Sequence, residues 1–194
     1  GLAEVADMRV ADRQNYHAAT FLLGSLSVPL VAAVEEYVRC RELLGGSPKP
    51  VKAYDSYGVV DPKADERALH HSLEQGFRGI KMKGGDGDAA NDERMVKGVR
   101  ALLGPDVALM IDFNQSLDPS EAARRIARLE PYDLHWIEEP VPQENLSGHA
   151  KVRETSPTPI QAGENWWFPR GFAEAIEAGA SDFIMPDLMK CGGV

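Results

Sequence analysis

Lys81 and Lys83 sit two residues apart in Ile80-Lys81-Met82-Lys83, and three carboxylates follow: Asp112 in Met110-Ile111-Asp112, Glu138 in Trp136-Ile137-Glu138 and Glu164 in Gly163-Glu164-Asn165. Asp187, in Met185-Pro186-Asp187, extends the series. From Lys83 onward these groups are spaced 29, 26, 26 and 23 residues apart, about the length of one strand plus one crossover helix. Each closes a strand-like run. Charge at a buried strand end is costly unless it is paired or bound to a metal. Five such ends in step therefore imply one polar site assembled from consecutive βα units.

The residue types suggest the chemistry. Lysines two apart on a strand face the same side. If that side is the interior, desolvation and mutual repulsion should lower both ammonium groups toward the range of a general base. Asp112, Glu138 and Glu164 offer all-oxygen ligation, which suits a hard cation, Mg²⁺ first and Mn²⁺ second, and not zinc. Glu139 should point away from Glu138 by strand alternation and serve the structure. The run Gly84-Gly85-Asp86-Gly87 follows a strand but lacks the spacing of a dinucleotide or P-loop motif. Trp166-Trp167 could line a pocket, and the five histidines show no ligand spacing.

The elements that must position these groups alternate regularly from Val51 onward. Strands are expected over 51–57, 79–83, 107–113, 134–138, 159–163 and 182–186, and helices over 62–76, 88–103, 119–130, 143–154 and 169–179. Asp61-Pro62 and Asp118-Pro119 are helix-start signals. Such alternation means an α/β fold with a parallel sheet. Chemistry at successive strand ends favours a (β/α) barrel, whose strand ends converge on one mouth, over a doubly wound sheet. Residues 1–47 differ: 30–44 has helical spacing, Gly45-Gly46 stops it, and Ser47-Pro48-Lys49-Pro50 reads as a linker.

Composition narrows the function. The chain has 194 residues, 43% hydrophobic and 26% charged, ordinary for a soluble globular protein. A net charge of -9 argues against nucleic acid or an anionic membrane as partner. Two cysteines make no disulfide framework and favour a cytoplasmic location. The most apolar stretch, 21–34, is broken by Gly24, Ser25, Ser27 and Pro29, so no membrane span is expected. A start without Met and an end at Gly192-Gly193-Val194 suggest a piece of a longer chain.

At these residues the chain resembles the enolase superfamily, in particular its mandelate racemase subgroup. The resemblance covers about residues 48–194 and rests on Val51 to Ser56, Lys81-Met82-Lys83, Asp112-Phe113-Asn114-Gln115-Ser116-Leu117, Trp136 to Pro140, Gly163-Glu164-Asn165-Trp166 and Met185 to Lys190 running into Gly192-Gly193-Val194. The pairing of a Lys base with Mg²⁺ in this superfamily is a known case. The resemblance implies Lys83 as the base at the substrate's α-carbon and Lys81 as its neighbour, steadying the substrate carboxylate. It implies Asp112, Glu138 and Glu164 as metal ligands, Asn114 and Ser56 as substrate contacts, and Asp187 as the orienter of a histidine from the following strand. Glu164 and Asp187 side with the racemase subgroup against the lactonizing and epimerase relatives, so Lys190 is not a catalytic lysine. The implied reaction is abstraction of the proton α to a carboxylate through an enediolate, on a 2-hydroxy acid or acid sugar, with racemisation or dehydration as the outcome.

A barrel of this type needs about 250 residues, so 48–194 corresponds to roughly six of eight βα units. Residues 1–47 then read as a helical remnant of the N-terminal capping domain. The full-length protein is expected to be a homo-oligomer acting on a small-molecule carboxylate, and the 194-residue chain alone to be inactive. Two other readings stay open on the residues themselves: a Schiff-base barrel using Lys83, and an inactive fragment or binding module.

Overall fold

The computed structural model describes Gly45 and residues 52–192. The helix expected over 30–44, the linker over 47–50 and the division at 47/48 lie outside the described residues. The chain divides into two compact units, Gly1–Ala53 and Tyr54–Val194. Every element below belongs to the second.

Strands and helices alternate as β1 (Asp55–Ser56), α1 (Glu66–Glu74), β2 (Gly79–Lys83), α2 (Ala89–Leu103), β3 (Ala108–Asp112), α3 (Pro119–Leu129), β4 (Trp136–Glu138), α4 (Leu146–Thr155), β5 (Ile160–Ala162), α5 (Phe168–Glu177), β6 (Phe183–Ile184) and α6 (Leu188–Cys191). A single 3-10 turn, Glu130–Tyr132, follows α3. The short α6 was not expected from the sequence. Helix α1 starts four residues later than the Asp61-Pro62 signal suggests. Asp61 instead closes a turn, its Oδ1 accepting from the amides of Lys63 and Ala64. At α3 the signal is obeyed: Asp118 Oδ1 accepts from Ser120 and Glu121 amides at 2.8 and 2.9 Å, with Pro119 next in line. Helix α2 ends at Gly104, whose φ of 80° lets the chain reverse without a Cβ clash.

The sheet order is β1-β2-β3-β4-β5-β6, and all five neighbouring pairs are parallel. Strand order that follows chain order without reversal has no switch point. It is the winding of a (β/α) barrel and not of a doubly wound sheet. One sheet face carries Ile80, Met82, Leu109, Ile111, Ile137 and Ile160, all fully buried against Leu69, Val96, Val99, Ala122, Ile126 and Val152 of the helices. Each such side chain stabilises by about 1.5–3 kcal/mol relative to exposure. With that face closed by helices, the alternate residues Lys81, Lys83, Met110, Asp112, Trp136 and Glu138 must share the opposite face.

A buried ion pair ties the loop after β2 to this frame. Arg125 of α3 donates to Asp92 Oδ2 at 2.6 Å, to Glu121 Oε1 at 2.7 Å and to the Gly87 carbonyl at 2.8 Å. Asp92 also accepts from the Gly85 amide at 3.1 Å. The Gly85 amide of the glycine-rich loop is therefore spent on holding the exit of Lys83 in place. Among the described residues, no helix is long and apolar enough to cross a membrane.

His149 of α4 is 1% exposed, and its Nδ1 has no hydrogen-bond partner among the described residues. Burial pushes this imidazole down to about 4, against a hydrogen bond to the Val141 backbone. As pH falls, the unfolded chain, with its histidine at 6.5, takes up the proton before the folded one. Stability should therefore fall between about pH 6.5 and pH 4 and level off below, by about 3 kcal/mol in all. Urea unfolding of the wild type and His149→Leu across this window measures it. The wild type should lose ground to the variant as pH falls, and parallel curves would remove the buried neutral histidine from the account.

Candidate active site

Parallel register sets the site. Lys83 is the Cα partner of Asp112, Asp112 of Glu138, and Glu138 of Gln161. One row below, Ser56 partners Lys81, Lys81 partners Met110, and Met110 partners Trp136. Two lysines and two carboxylates are thus stacked on one face without any need for long connections. They interlock. Lys83 Nζ donates to Asp112 Oδ2 at 2.6 Å, and Lys81 Nζ donates to Glu138 Oε1 at 2.6 Å while lying 3.6 Å from Asp112 Oδ2.

Asp112 and Glu138 are almost wholly buried. Glu138 is held from both sides, its Oε2 accepting from Trp136 Nε1 at 3.2 Å and from Gln161 Nε2 at 3.4 Å. Asp112 Oδ1 accepts from the Asn114 amide at 2.8 Å, where the chain leaves β3 through Asn114 and Gln115 at φ 43° and 65°. Burial pushes the Glu138 carboxyl up and the charge of Asp112 adds to that, while the Lys81 ammonium pulls it back. The short contact identifies the ion pair as the state the geometry holds.

The expected lowering of Lys81 is corrected. Burial alone would pull its ammonium down, but Glu138, Tyr54 and Asp112 outweigh that and hold it above its ordinary range. Its Nζ also lies 5.5 Å above the Tyr54 ring. Lys81 makes its short contact with Glu138 and Lys83 with Asp112, and Asp112 Oδ2 lies within ion-pair reach of both ammonium groups. Lys83 is the more open of the two, with 37% of its side chain exposed, and it lines a cleft of about 510 Å³ with Val60, Pro62, Gly84 and Asn91.

Glu164 and Asp187 do not sit in the row of Lys83, Asp112 and Glu138. The row continues through Gln161 on β5 and Phe183 on β6. Glu164 lies in the turn beyond β5, after Gly163, whose φ is 139° and whose place a Cβ could not take without meeting the Met185 backbone at 2.8 Å. Asp187 caps α6, its Oδ1 accepting from the Met189 amide at 2.8 Å. Ser56 and Asn114 are both exposed, Ser56 beside Lys81 in register.

Glu139 departs from the alternation expected of it. The strand ends at Glu138, and Glu139 takes φ 40°, so the two-residue period no longer applies. It is 2% exposed and its carboxyl stands at about 7, raised by burial and then by the charge of Glu164, against a hydrogen bond from Asn165. Asp112 and Glu138 add to that rise. Pro140 gives no signal for this, because a residue before proline is favoured in extended backbone and Glu139 is not extended. Trp136 was likewise overlooked, although its i, i+2 spacing from Glu138 places it on the same face.

Among the described residues, no three His, Cys, Asp or Glu side chains converge as a ready cage for an ion. One oxygen of Asp112 and one of Glu138 are taken by the two ammonium groups. The donor set itself fits a hard cation. It is all carboxylate, and the charges of Asp112, Glu138 and Glu164 all bear on Glu139, so these acids share one neighbourhood in which positive charge is stabilising.

Comparisons with known proteins show the family and the fold. The family model described as enolase C-terminal domain-like matches residues 64–194. A D-galactarolactone cycloisomerase from Agrobacterium fabrum is 38% identical over 159 residues, covering 78% of this chain and 41% of that protein. An L-talarate/galactarate dehydratase from Salmonella typhimurium is 35% identical over 156 residues, covering 79% of this chain and 39% of that protein. A crystal structure of an enolase from Bradyrhizobium, complexed with magnesium and mandelic acid, is 76% identical with a TM-score of 0.77, covering 78% of this chain and 42% of that one. The chain spans about two-fifths of the length of these relatives.

Removing Lys81 tests the interlock. Lys81→Met leaves Glu138 buried without its cation and should cost about 3–5 kcal/mol at neutral pH. Adding Glu138→Gln should recover most of that loss, because the buried charge goes with it. Urea unfolding of the double-mutant cycle reads the coupling. Additive losses would show that the two groups are not a pair.

Proposed function

The chain belongs to the enolase C-terminal domain-like family, and on that premise we propose that it removes the proton next to the carboxylate of a small 2-hydroxy acid or acid sugar, with Mg²⁺ as cofactor. The observation that carries this reading is the interlocked set of Lys83 with Asp112 and Lys81 with Glu138 on consecutive strands. The two cations have unequal surroundings and so take unequal roles.

Lys83, more open and at the end of β2, is the base: its Nζ leaves Asp112, gives its extra proton to solvent through the open cleft, and as the neutral amine takes the α-proton. Lys81 stays an ammonium, because Glu138, Tyr54 and Asp112 hold it charged. It therefore meets the negative charge that develops on the substrate carboxylate as the enediolate forms. Asp112, Glu138 and Glu164 are assigned to hold Mg²⁺, with Mn²⁺ as a substitute. When bound, the ion supplies Lewis-acid stabilisation at the carboxylate. Trp136 and Gln161 keep Glu138 oriented. Asn114 and Ser56 are assigned to substrate contact, and Asp187 to orienting a histidine from the next βα unit. In this reading residues 48–194 are barrel and 1–47 a remnant of a capping domain, and the whole protein is a homo-oligomer.

The substrate class draws support from the relatives. Those named for galactarolactone and for talarate and galactarate point to acid sugars, and the mandelic acid in the Bradyrhizobium structure is a 2-hydroxy acid. Return of the proton to the opposite face gives racemisation; loss of a β-hydroxyl gives dehydration.

The test is proton exchange in D₂O by the intact gene product, with mandelate and a panel of acid sugars, followed by NMR. Deuterium should enter at the α-carbon only when Mg²⁺ is present. Lys83→Ala should slow it by about 10²–10⁴-fold on one face of the substrate. Exchange that survives EDTA, together with borohydride trapping of Lys83, would establish a Schiff-base enzyme instead. No exchange with any acid of the panel would make the protein a binding module.

A further inference from the structure

Three groups near the carboxylates play no part in the chemistry above and are nevertheless held with care. Glu139 lies buried at a φ that non-glycine residues seldom adopt. Its backbone is fastened on both sides: its amide donates to the Gln161 carbonyl at 2.9 Å, and its carbonyl accepts from the Gln115 amide at 2.7 Å. Both of its carboxylate oxygens accept from one nitrogen, Asn165 Nδ2, at 3.0 and 2.8 Å. The other end of that amide, Asn165 Oδ1, accepts from Lys190 Nζ of α6 at 2.7 Å. A line of hydrogen bonds thus runs from the end of β4, through the turn after β5, to the helix after β6.

We infer that Glu139, Asn165 and Lys190 form a positioning relay that fixes the Glu138 and Glu164 carboxylates relative to each other and so sets the grip on a divalent cation. The inference rests on the metal reading proposed above. Its basis is connectivity. Glu139 is peptide-bonded to Glu138, and Asn165 to Glu164, so a hydrogen bond between the second members of the two pairs ties together the first members. Among the described residues the other links between β4 and β5, the sheet ladder and the Gln161–Glu138 hydrogen bond, end before Glu164.

The relay also places charge. Lys81 and Lys83 touch Glu138 and Asp112 directly and compete with a bound cation for their oxygens. Lys190 is one amide removed. It supports Glu139 through Asn165 and leaves the oxygens of Asp112, Glu138 and Glu164 untouched. Its Nζ lies 5.9 Å above the Trp167 ring, which further steadies it beside the turn that carries Glu164.

The test is Mn²⁺ affinity, read from the EPR signal of free Mn²⁺, for the wild-type chain, Asn165→Ala, Lys190→Met and Lys190→Arg. Circular dichroism and urea unfolding in EDTA report the fold of each. Asn165→Ala and Lys190→Met should weaken Mn²⁺ binding by about 10–100-fold, as loss of outer hydrogen bonds does at other metal sites. Lys190→Arg keeps a donor for Asn165 and should stay within a few-fold of wild type. Lys190→Met carries the test if Asn165→Ala does not fold, because Lys190 stands half-buried on a four-residue helix. A merely structural bond would lower the urea midpoint in EDTA and leave Mn²⁺ affinity unchanged; that result overturns the relay while the metal reading stands. A wild-type chain that binds no Mn²⁺ overturns both.

Discussion

Everything at this site depends on one constraint: the carboxylates at the ends of β3 and β4 are buried, and burial is tolerable only because they meet the lysines of β2. Asp112 and Glu138 have almost no contact with water, and each has an ammonium nitrogen at 2.6 Å. An unpaired carboxylate in either place would face a penalty of several kcal/mol. Parallel register answers this by putting Lys83 level with Asp112, and Asp112 level with Glu138. Trp136 and Gln161 then take up the remaining oxygen of Glu138. The apolar face of the same strands, closed by helices, leaves the charged residues no other side to occupy.

That constraint connects stability with function. An arrangement of two cations and two carboxylates is balanced, yet its members can be exchanged. A divalent cation matches the charge of two ammonium groups, and carboxylates already crowded together favour a cation of higher charge density. In the proposed reading, the unequal environments of the lysines give them different duties. Lys81 is locked as a cation by Glu138, Tyr54 and Asp112, whereas Lys83 stands beside an open cleft. The rest of the frame holds these strand ends: Arg125 braces the loop after Lys83, and Glu139 ties the turn after β5 to the end of β4.

Much of this was legible in the sequence because it depends on short-range rules. Two-residue alternation put Lys81 and Lys83 on one face, the 29- and 26-residue spacings gave βα units, and Asp118-Pro119 marked a helix start. What escaped depends on where a strand stops. Alternation does not extend to Glu139, which lies one residue past the strand, and the even spacing of Glu164 and Asp187 concealed that one lies in a turn and the other at a helix cap, both outside the register row. The direction of the Lys81 shift also escaped, because spacing shows which lysines are neighbours but not which carboxylate each will reach. Three hydrogen-bonded residues from two separate loops and a short helix, Glu139, Asn165 and Lys190, leave no periodic trace at all.

The most direct measurement of the central claim is crystallographic: crystals of the protein equilibrated with Mn²⁺, with anomalous diffraction recorded at the manganese edge. The expected result is one strong peak bounded by Asp112, Glu138 and Glu164, with Lys83 Nζ drawn away from Asp112. A peak elsewhere, or no peak with both lysine–carboxylate pairs unchanged, would contradict the view that these strand-end charges are built to exchange ammonium for a divalent cation.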